Sequence, residues 1–281
     1  MRLKFWGTRG SIPSPGCGRE YYGGNTPCLE LITSSGLQII VDAGTGVREL
    51  GNYMVANNIV AKNSYLFLTH FHWDHIQGLP FFVPAYTLGN EFFVVGVEED
   101  KETLRQIVSS QMKPPYFPVG FEAIENQLNF LNLFPNGSEI EGIKVYFTHT
   151  NHPQKTLAFR FEEGRKTVTF MTDCELSSHA KDARPIEFFA EFCKDSDYLI
   201  VDAQFTEQEL CNRSGWGHSS NMDALKLASL SRSKTLILFH HDPNHDDELI
   251  DRMVKDVISS ANEKKIDIAC FAARDYDSFD I

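Results

Sequence analysis

The sequence predicts an α/β chain in which two β-sheets pack face to face with helices outside them, a four-layer αββα sandwich. Three observations predict it. Short β-branched and aromatic runs recur through both halves of the chain, helical periodicity appears between several of them, and the strands are too many and too differently spaced for all to run parallel. The expected strands are 37–41 (LQIIV), 65–69 (YLFLT), 92–97 (FFVVGV), 143–148 (IKVYFT), 156–161 (TLAFRF), 167–172 (TVTFMT), 198–203 (YLIVDA), 235–239 (TLILF) and 266–271 (IDIACF). Helical character is clearest at 246–261. There Asp246, Asp247 and Glu248 sit at the positive end of the helix dipole, and Leu249, Ile250, Met253, Val254 and Val257 form an apolar stripe. Shorter helices are expected at 101–112, 185–194 and 221–230. No composition shift, repeat or low-complexity tract divides the chain, so residues 1–281 read as a single domain. The unusual segment is 111–121, QMKPPYFPVGF. Its prolines and aromatics make a stiff loop, either a packed surface connection or a wall over a pocket.

At 281 residues the chain can bury a core without staples, and 42% hydrophobic with 23% charged residues is ordinary globular composition. A formal charge of −12 opposes the cationic footprint that long nucleic acids require, yet leaves room for a small anion at a metal. Six cysteines form neither a CxxC pair nor a dense framework, which argues against a disulfide scaffold. The N-terminus MRLKFWGTRG lacks a signal-length apolar stretch, and no later run has the length that spans a bilayer. A cytoplasmic protein with no membrane partner is the expectation.

The chemistry concentrates in Thr69-His70-Phe71-His72-Trp73-Asp74-His75, where four metal-ligand side chains fall within six residues as the chain leaves the strand YLFLT. His70 and His72 share one face of an extended segment, and a turn near Trp73 aims Asp74 and His75 elsewhere. That spacing suits two adjacent metals. Burying three imidazoles without partners would be costly, so a merely structural role is disfavoured.

With this HxHxDH signature the chain resembles the metallo-β-lactamase superfamily, and in particular its phosphodiesterase branch, which includes ribonuclease Z and small cyclic-nucleotide phosphodiesterases. The resemblance runs over nearly the whole length and implies the metallo-β-lactamase fold. It also implies later ligands. His152, in NHPQKTLAFRF, stands before a strand as the branch's third-motif His does, with His149 as the alternative, while Ala158 stands where relatives often have Gly. Asp173, in TFMTDCE, follows a strand and matches the bridging carboxylate. His240 ends TLILF and matches the last ligand; His241 follows directly and His245 is close behind, but adjacent strand residues point to opposite faces, so only one of His240 and His241 can serve.

The resemblance therefore puts His70, His72 and His152 on one ion, Asp74, His75 and His240 on another, and Asp173 between them. Mixed imidazole and carboxylate donors suit Zn²⁺, with Mn²⁺ and Fe²⁺ as alternatives. Asp42, in VDAGTG, resembles the early Asp that orients ligating histidines. His218, in GWGHSS, matches the branch's GHS motif, whose His meets the phosphate or the leaving oxygen. Arg9, in GTRGSIPSPG, is either a phosphate contact or a hairpin Arg.

The implied reaction is hydrolysis of a small phosphodiester, foremost a cyclic nucleotide, by a hydroxide shared between the metals. Asp74 and Asp173 orient that hydroxide, and His218 acts as proton donor or phosphorane stabiliser. Ribonuclease Z-like RNA processing is the first alternative, but that enzyme carries a tRNA-clamping insertion between its third-motif His and its bridging Asp, where this chain has roughly twenty residues. A thioester, lactone or β-lactam hydrolase is next, then a non-catalytic nucleotide or metal sensor. A redox di-iron role is disfavoured, since such relatives place Glu where His72 stands. Relatives commonly dimerise, which implies a homodimer.

Overall fold

The structure, a computed structural model, describes residues 1–281. It resolves into two compact units, each with its own sheet and core.

The first unit comprises Met1–Pro13, Asn25–Pro135 and Asp275–Asp280. Its strands are β1 (Arg2–Gly7), β2 (Cys28–Ile32), β3 (Gln38–Val41), β4 (Ser64–Phe67), β5 (Phe92–Val95), β6 (Leu128–Phe130) and the C-terminal β14 (Ser278–Asp280), in the order β14-β1-β2-β3-β4-β5-β6. β14, β1, β2 and β3 pair antiparallel, and β3 to β6 pair parallel. The parallel half explains why QIIV of β3 is buried throughout: a strand covered on both faces reads as a continuous apolar run.

Helix α1 (Gly46–Ala56) lays Val47, Leu50 and Met54 into the same core as Ile40, Leu66 and Val94. Periodicity alone does not announce this helix, because it contains two glycines, each costing about 1 kcal/mol relative to Ala in a helix interior. Both are required by packing. A Cβ on Gly46 would lie 2.6 Å from the backbone of Trp6 and Gly7, and one on Gly51 2.9 Å from the Phe82 ring. The one-turn α2 (Trp73–Ile76) follows His72 directly, and α3 (Lys101–Ser110) is capped by Asp100, which accepts the Thr103 N–H. In the 111–121 segment Met112 and Phe121 are buried, Phe117 packs edge-on against Phe81 at 5.4 Å, and Tyr116 stands in solvent.

The second unit comprises Ser14–Gly24 and Asn136–Arg274, with Ile281. Its strands are β7 (Ser138–Ile140), β8 (Ile143–His149), β9 (Leu157–Glu163), β10 (Lys166–Met171), β11 (Tyr198–Asp202), β12 (Thr235–Phe239) and β13 (Ala269–Ala272), in the order β13-β12-β11-β10-β9-β8-β7. β10 to β13 are parallel, and β7 to β10 antiparallel. A two-residue turn, Gly164-Arg165, joins β9 to β10, with Gly164 at φ +60.

Helices α4 (Ile186–Phe192), α5 (Glu207–Leu210), α6 (Asn221–Ser231) and α7 (Asp247–Glu263) complete the unit. Phe189, Leu225, Leu227, Ile250 and Val257 from these helices share a core with Leu199, Val201 and Leu236 of the sheet. Asp246 proves to be the N-cap of α7, accepting the Leu249 N–H at 2.8 Å. The strand expected at 266–271 starts three residues later, because α7 extends to Glu263 and the chain turns through a left-handed Lys265 before rejoining the sheet. No helix is long and apolar enough to cross a membrane.

Candidate metal centre

In the first unit the functional side chains stand where β3 and β4 end. The chain leaves β3 through Asp42, which adopts a left-handed backbone at φ 64. Its fully buried carboxylate accepts the Thr69 N–H at 2.8 Å, the Thr69 hydroxyl at 3.0 Å and the Nδ1–H of His75 at 2.8 Å. Burial pushes the Asp42 carboxyl upward, while the His75 ring and the Thr69 bonds work the other way. Because the Thr69 hydroxyl donates to Asp42, its oxygen receives the Nδ1–H of His70 at 3.1 Å. One carboxylate thus orients two imidazoles, each with Nδ1 as donor and its lone pair on Nε2.

The motif residues cluster. The His70 ring lies 4.6 Å from that of His72 and 4.3 Å from that of His75, and Asp74 Oδ2 is 3.3 Å from His75 Nε2. Asp74 Oδ2 is further fixed by the Ser11 N–H at 2.7 Å. His70, Asp74 and His75 are buried, whereas His72 and the adjacent Trp73 face solvent. Arg9, weighed as a phosphate contact, is fully buried, and its charge acts on Asp275, whose carboxyl burial pushes up to about 6 against the hydrogen bonds from Asn25 and Thr8.

In the second unit the donors come from the ends of β8, β10, β11 and β12. Asp173 follows β10 at φ 50 and His240 follows β12 at φ 63, both left-handed like Asp42. Non-glycine residues in this region are uncommon and gather at functional sites. His152 donates Nδ1–H to the Gly217 carbonyl at 3.1 Å and turns Nε2 toward Asp173 Oδ1, 3.9 Å away. His149 ends β8 opposite Leu157 and belongs to no donor cluster. The Nδ1 of His240 donates to Gln204 Oε1 at 3.2 Å, placing Nε2 3.4 Å from Asp173 Oδ2. His241 instead spends Nε2 on the Ala273 carbonyl at 2.8 Å, against the edge of Tyr22; the two rings part because the chain turns through the left-handed His240 just after β12, not by alternation along a strand.

His218 meets Asp202, a residue that sequence reasoning did not single out. Its Nδ1 donates to Asp202 Oδ2 at 2.7 Å, and its ring stacks on His240 at 5.1 Å. Asp202 is fully buried and also accepts the Ser219 and Gln204 N–H groups. Asp173, Asp202, His218 and His240 bring ligand atoms within 4.8 Å of one another. A signal for Asp202 exists: Val201-Asp202-Ala203 repeats the Val41-Asp42-Ala43 that closes β3. Glu175, also overlooked, is buried and accepts the N–H groups of Gly215 and Gly217, shaping the loop against which His152 rests.

The donor chemistry fits divalent ions. His70, His75, His152 and His240 each anchor Nδ1 on an oxygen and present Nε2, the usual outer-shell arrangement for metal-binding imidazole. A family model, described as a beta-lactamase superfamily domain, matches residues 38–241, well over half of the chain and including both donor sets. The chain belongs to the metallo-β-lactamase superfamily. Membership makes this protein a metal-dependent hydrolase.

Ribonuclease Z of Sulfurisphaera tokodaii is 24% identical over 258 residues, which span 77% of this chain and 82% of that one. Among solved structures, the metallo-β-lactamase fold protein YhfI from Bacillus subtilis superposes with a TM-score of 0.70 at 17% identity, covering 99% of this chain and 98% of its own. A diphosphatase of the PhnP family reaches 0.66 at 17% identity, covering 100% and 97%. These neighbours show that the metallo-β-lactamase fold extends over the full length of the chain.

Proposed function

We propose that this protein is a dinuclear metal-dependent phosphodiesterase whose substrate is a small phosphodiester, foremost a cyclic nucleotide. In this reading residues 1–281 work as one domain, His70, His72 and His152 hold one ion, Asp74, His75 and His240 hold the second, and Asp173 serves both. Two divalent ions so held supply Lewis acidity and an activated water at neutral pH, with Zn²⁺ the expected metal and Mn²⁺ or Fe²⁺ served by the same donors.

The observation that carries the reading is the His218–Asp202 pair. A phosphodiester expels an alkoxide, which needs a proton; a thiolate does not. His218 has its Nδ1 proton committed to Asp202 at 2.7 Å, so a proton taken up by the ring goes to Nε2, the nitrogen available to a leaving oxygen. The buried Asp202 stabilises the resulting imidazolium and fixes the ring's orientation, while the stacked His240 limits its rotation. Asp74 and Asp173 have their carboxylate planes set by the Ser11 N–H and the Thr172 hydroxyl, and so hold their acceptor oxygens in one orientation toward the substrate.

A small substrate is supported by two features. Between His152 and Asp173 the chain is the β9–β10 hairpin with its two-residue turn, the position at which ribonuclease Z carries its clamping insertion. A net charge of −12 disfavours a long polyanion. The likeness to ribonuclease Z favours a second reading, RNA 3′ processing. Six free cysteines support a reducing, cytoplasmic setting, and a homodimer is the expected state.

Metal-loaded protein should be assayed on bis(p-nitrophenyl) phosphate, a cyclic-nucleotide panel, a thioester and precursor tRNA. Cleavage of the first two, lost in Asp74→Ala and slowed in His218→Ala without weaker binding, is the expected result. Cleavage of precursor tRNA but no cyclic nucleotide would transfer the assignment to the RNA reading. Thioester hydrolysis alone would overturn both.

A further inference from the structure

His245 lies five residues beyond His240 on the turn that leaves β12, and it is 2% exposed. Its Nε2 meets both oxygens of Glu209, at 3.0 and 3.1 Å. Glu209 sits on α5 and closes that helix's capping box, accepting the Thr206 N–H and hydroxyl at 2.8 and 2.9 Å. Burial works to raise this carboxyl, yet the bonds from Thr206 and His245 hold it down at about 2. The contact is a side-chain clasp between the turn after β12 and helix α5.

Each end of the clasp leads to one of the two stacked imidazoles. On the His245 side, its N–H donates to the Asp242 carbonyl, and Gln204 lies between Asp242 (3.5 Å) and the Nδ1 of His240 (3.2 Å). On the Glu209 side, the carboxylate stands 3.6 Å from Arg213, whose guanidinium covers the Phe205 ring at 4.5 Å. Phe205 in turn meets the His218 ring edge-on at 5.9 Å and exchanges backbone bonds with Ser219 and Asn221 on the far side of His218.

We propose that His245 is a positioning residue: through Glu209 it holds the Phe205–Arg213 wall against His218 and so keeps that ring aligned on Asp202 and His240. The inference rests on the phosphodiesterase reading for its kinetic consequence, but its structural consequence stands apart from it. Without the clasp Glu209 keeps only its Thr206 bonds, the Arg213 guanidinium that covers Phe205 loses a fixed counter-charge, and the Phe205 ring edge holds His218 on Asp202 less tightly.

The kinetic signature follows from proton donation. A proton donor matters most when the leaving group is basic, so a misaligned His218 slows an alkyl phosphodiester far more than a nitrophenyl ester. In metal-loaded His245→Ala, kcat on methyl phosphodiesters or cyclic nucleotides is expected to fall by about tenfold or more, while kcat on bis(p-nitrophenyl) phosphate falls by less than about threefold. KM and bound-metal stoichiometry should stay at wild-type values. His245→Gln, whose amide can still donate to Glu209, should recover most of the loss.

A second readout needs no turnover. In the NMR spectrum of the wild-type protein the His218 Nδ1 proton, bonded to Asp202 at 2.7 Å, should give a protected downfield resonance, one that exchanges rapidly in His245→Ala and returns in His245→Gln. Equal losses on both leaving groups, a loss of metal, or an unchanged Nδ1 resonance would each overturn the proposal. If wild-type protein cleaves no phosphodiester, the function assigned above fails, and the resonance alone decides whether His245 positions His218.

Discussion

Replacing Gly217 by alanine tests how His152, a proposed ligand, is held. Gly217 adopts φ +87, a region that L-residues enter at a cost of about 1–2 kcal/mol. A Cβ there would stand 2.2 Å from His152 Nδ1 and 2.5 Å from Pro153 Cδ, where ordinary contact begins near 3.4 Å. The imidazole must therefore retreat by about 1.2 Å, the difference between those two distances, and give up its 3.1 Å bond to the Gly217 carbonyl, worth about 1 kcal/mol. Together these effects destabilise the fold by about 2–3 kcal/mol and lower the thermal midpoint by on the order of 5 °C. The larger consequence is chemical, since a misplacement of about 1 Å in a reacting constellation costs about 100-fold in rate. Thermal unfolding, metal content by elemental analysis and kcat on bis(p-nitrophenyl) phosphate form the assay. Wild-type metal content and activity in Gly217→Ala would refute the reasoning, because the histidine could then not be held where it is by this loop.

Three further outcomes are expected. Asp42→Asn keeps the size and the left-handed backbone but gives one acceptor oxygen to donors that now share two, so metal affinity should drop by about 10- to 100-fold in a competition titration; unchanged affinity would show that Asp42 does not orient the ligands. His240→Ala should lose metal, whereas His241→Ala should keep it and lose only thermal stability, because His241 is committed to the Ala273 carbonyl; the reverse pattern would invert the assignment of the two rings. The Glu209 carboxyl lies below its ordinary value of 4.5 at about 2, so its contribution to stability is complete above the higher value and is lost as pH falls toward the lower. The acid limb of thermal stability should be shallower in Glu209→Gln than in wild type, with the effect reduced by partial solvent exposure; superimposable limbs would contradict it.

The elements most legible in the sequence were those whose signal is local. β3, β4, β5 and β8 to β12 are apolar runs that tertiary packing has no reason to rewrite, and Asp246 before Leu249 marks the start of α7. What escaped was set by distant partners. β1 alternates only weakly and is completed by pairing with β14 from the other end of the chain. α1 hides behind glycines whose need arises from Gly7 and Phe82. At the site, the proposed ligands stood out because imidazole and carboxylate in fixed spacing are rare, whereas Glu175 carries no special spacing and Asp202 only the echo of Val41-Asp42-Ala43. Their importance comes from backbone N–H groups of residues 204 to 219 that turn toward them only after folding.

Asp42, Asp173 and His240 each leave a strand through a left-handed corner. The corner restricts which amino acids can ever occupy these three positions. Asparagine and glycine enter that conformation readily and β-branched residues do not. In a directed-evolution library built on this scaffold, His70, His72 and His152 are free of that backbone restriction. At the three corners the workable repertoire shrinks to Asp, Asn, His and Gly, and a new metal preference would have to be written almost entirely in the other positions.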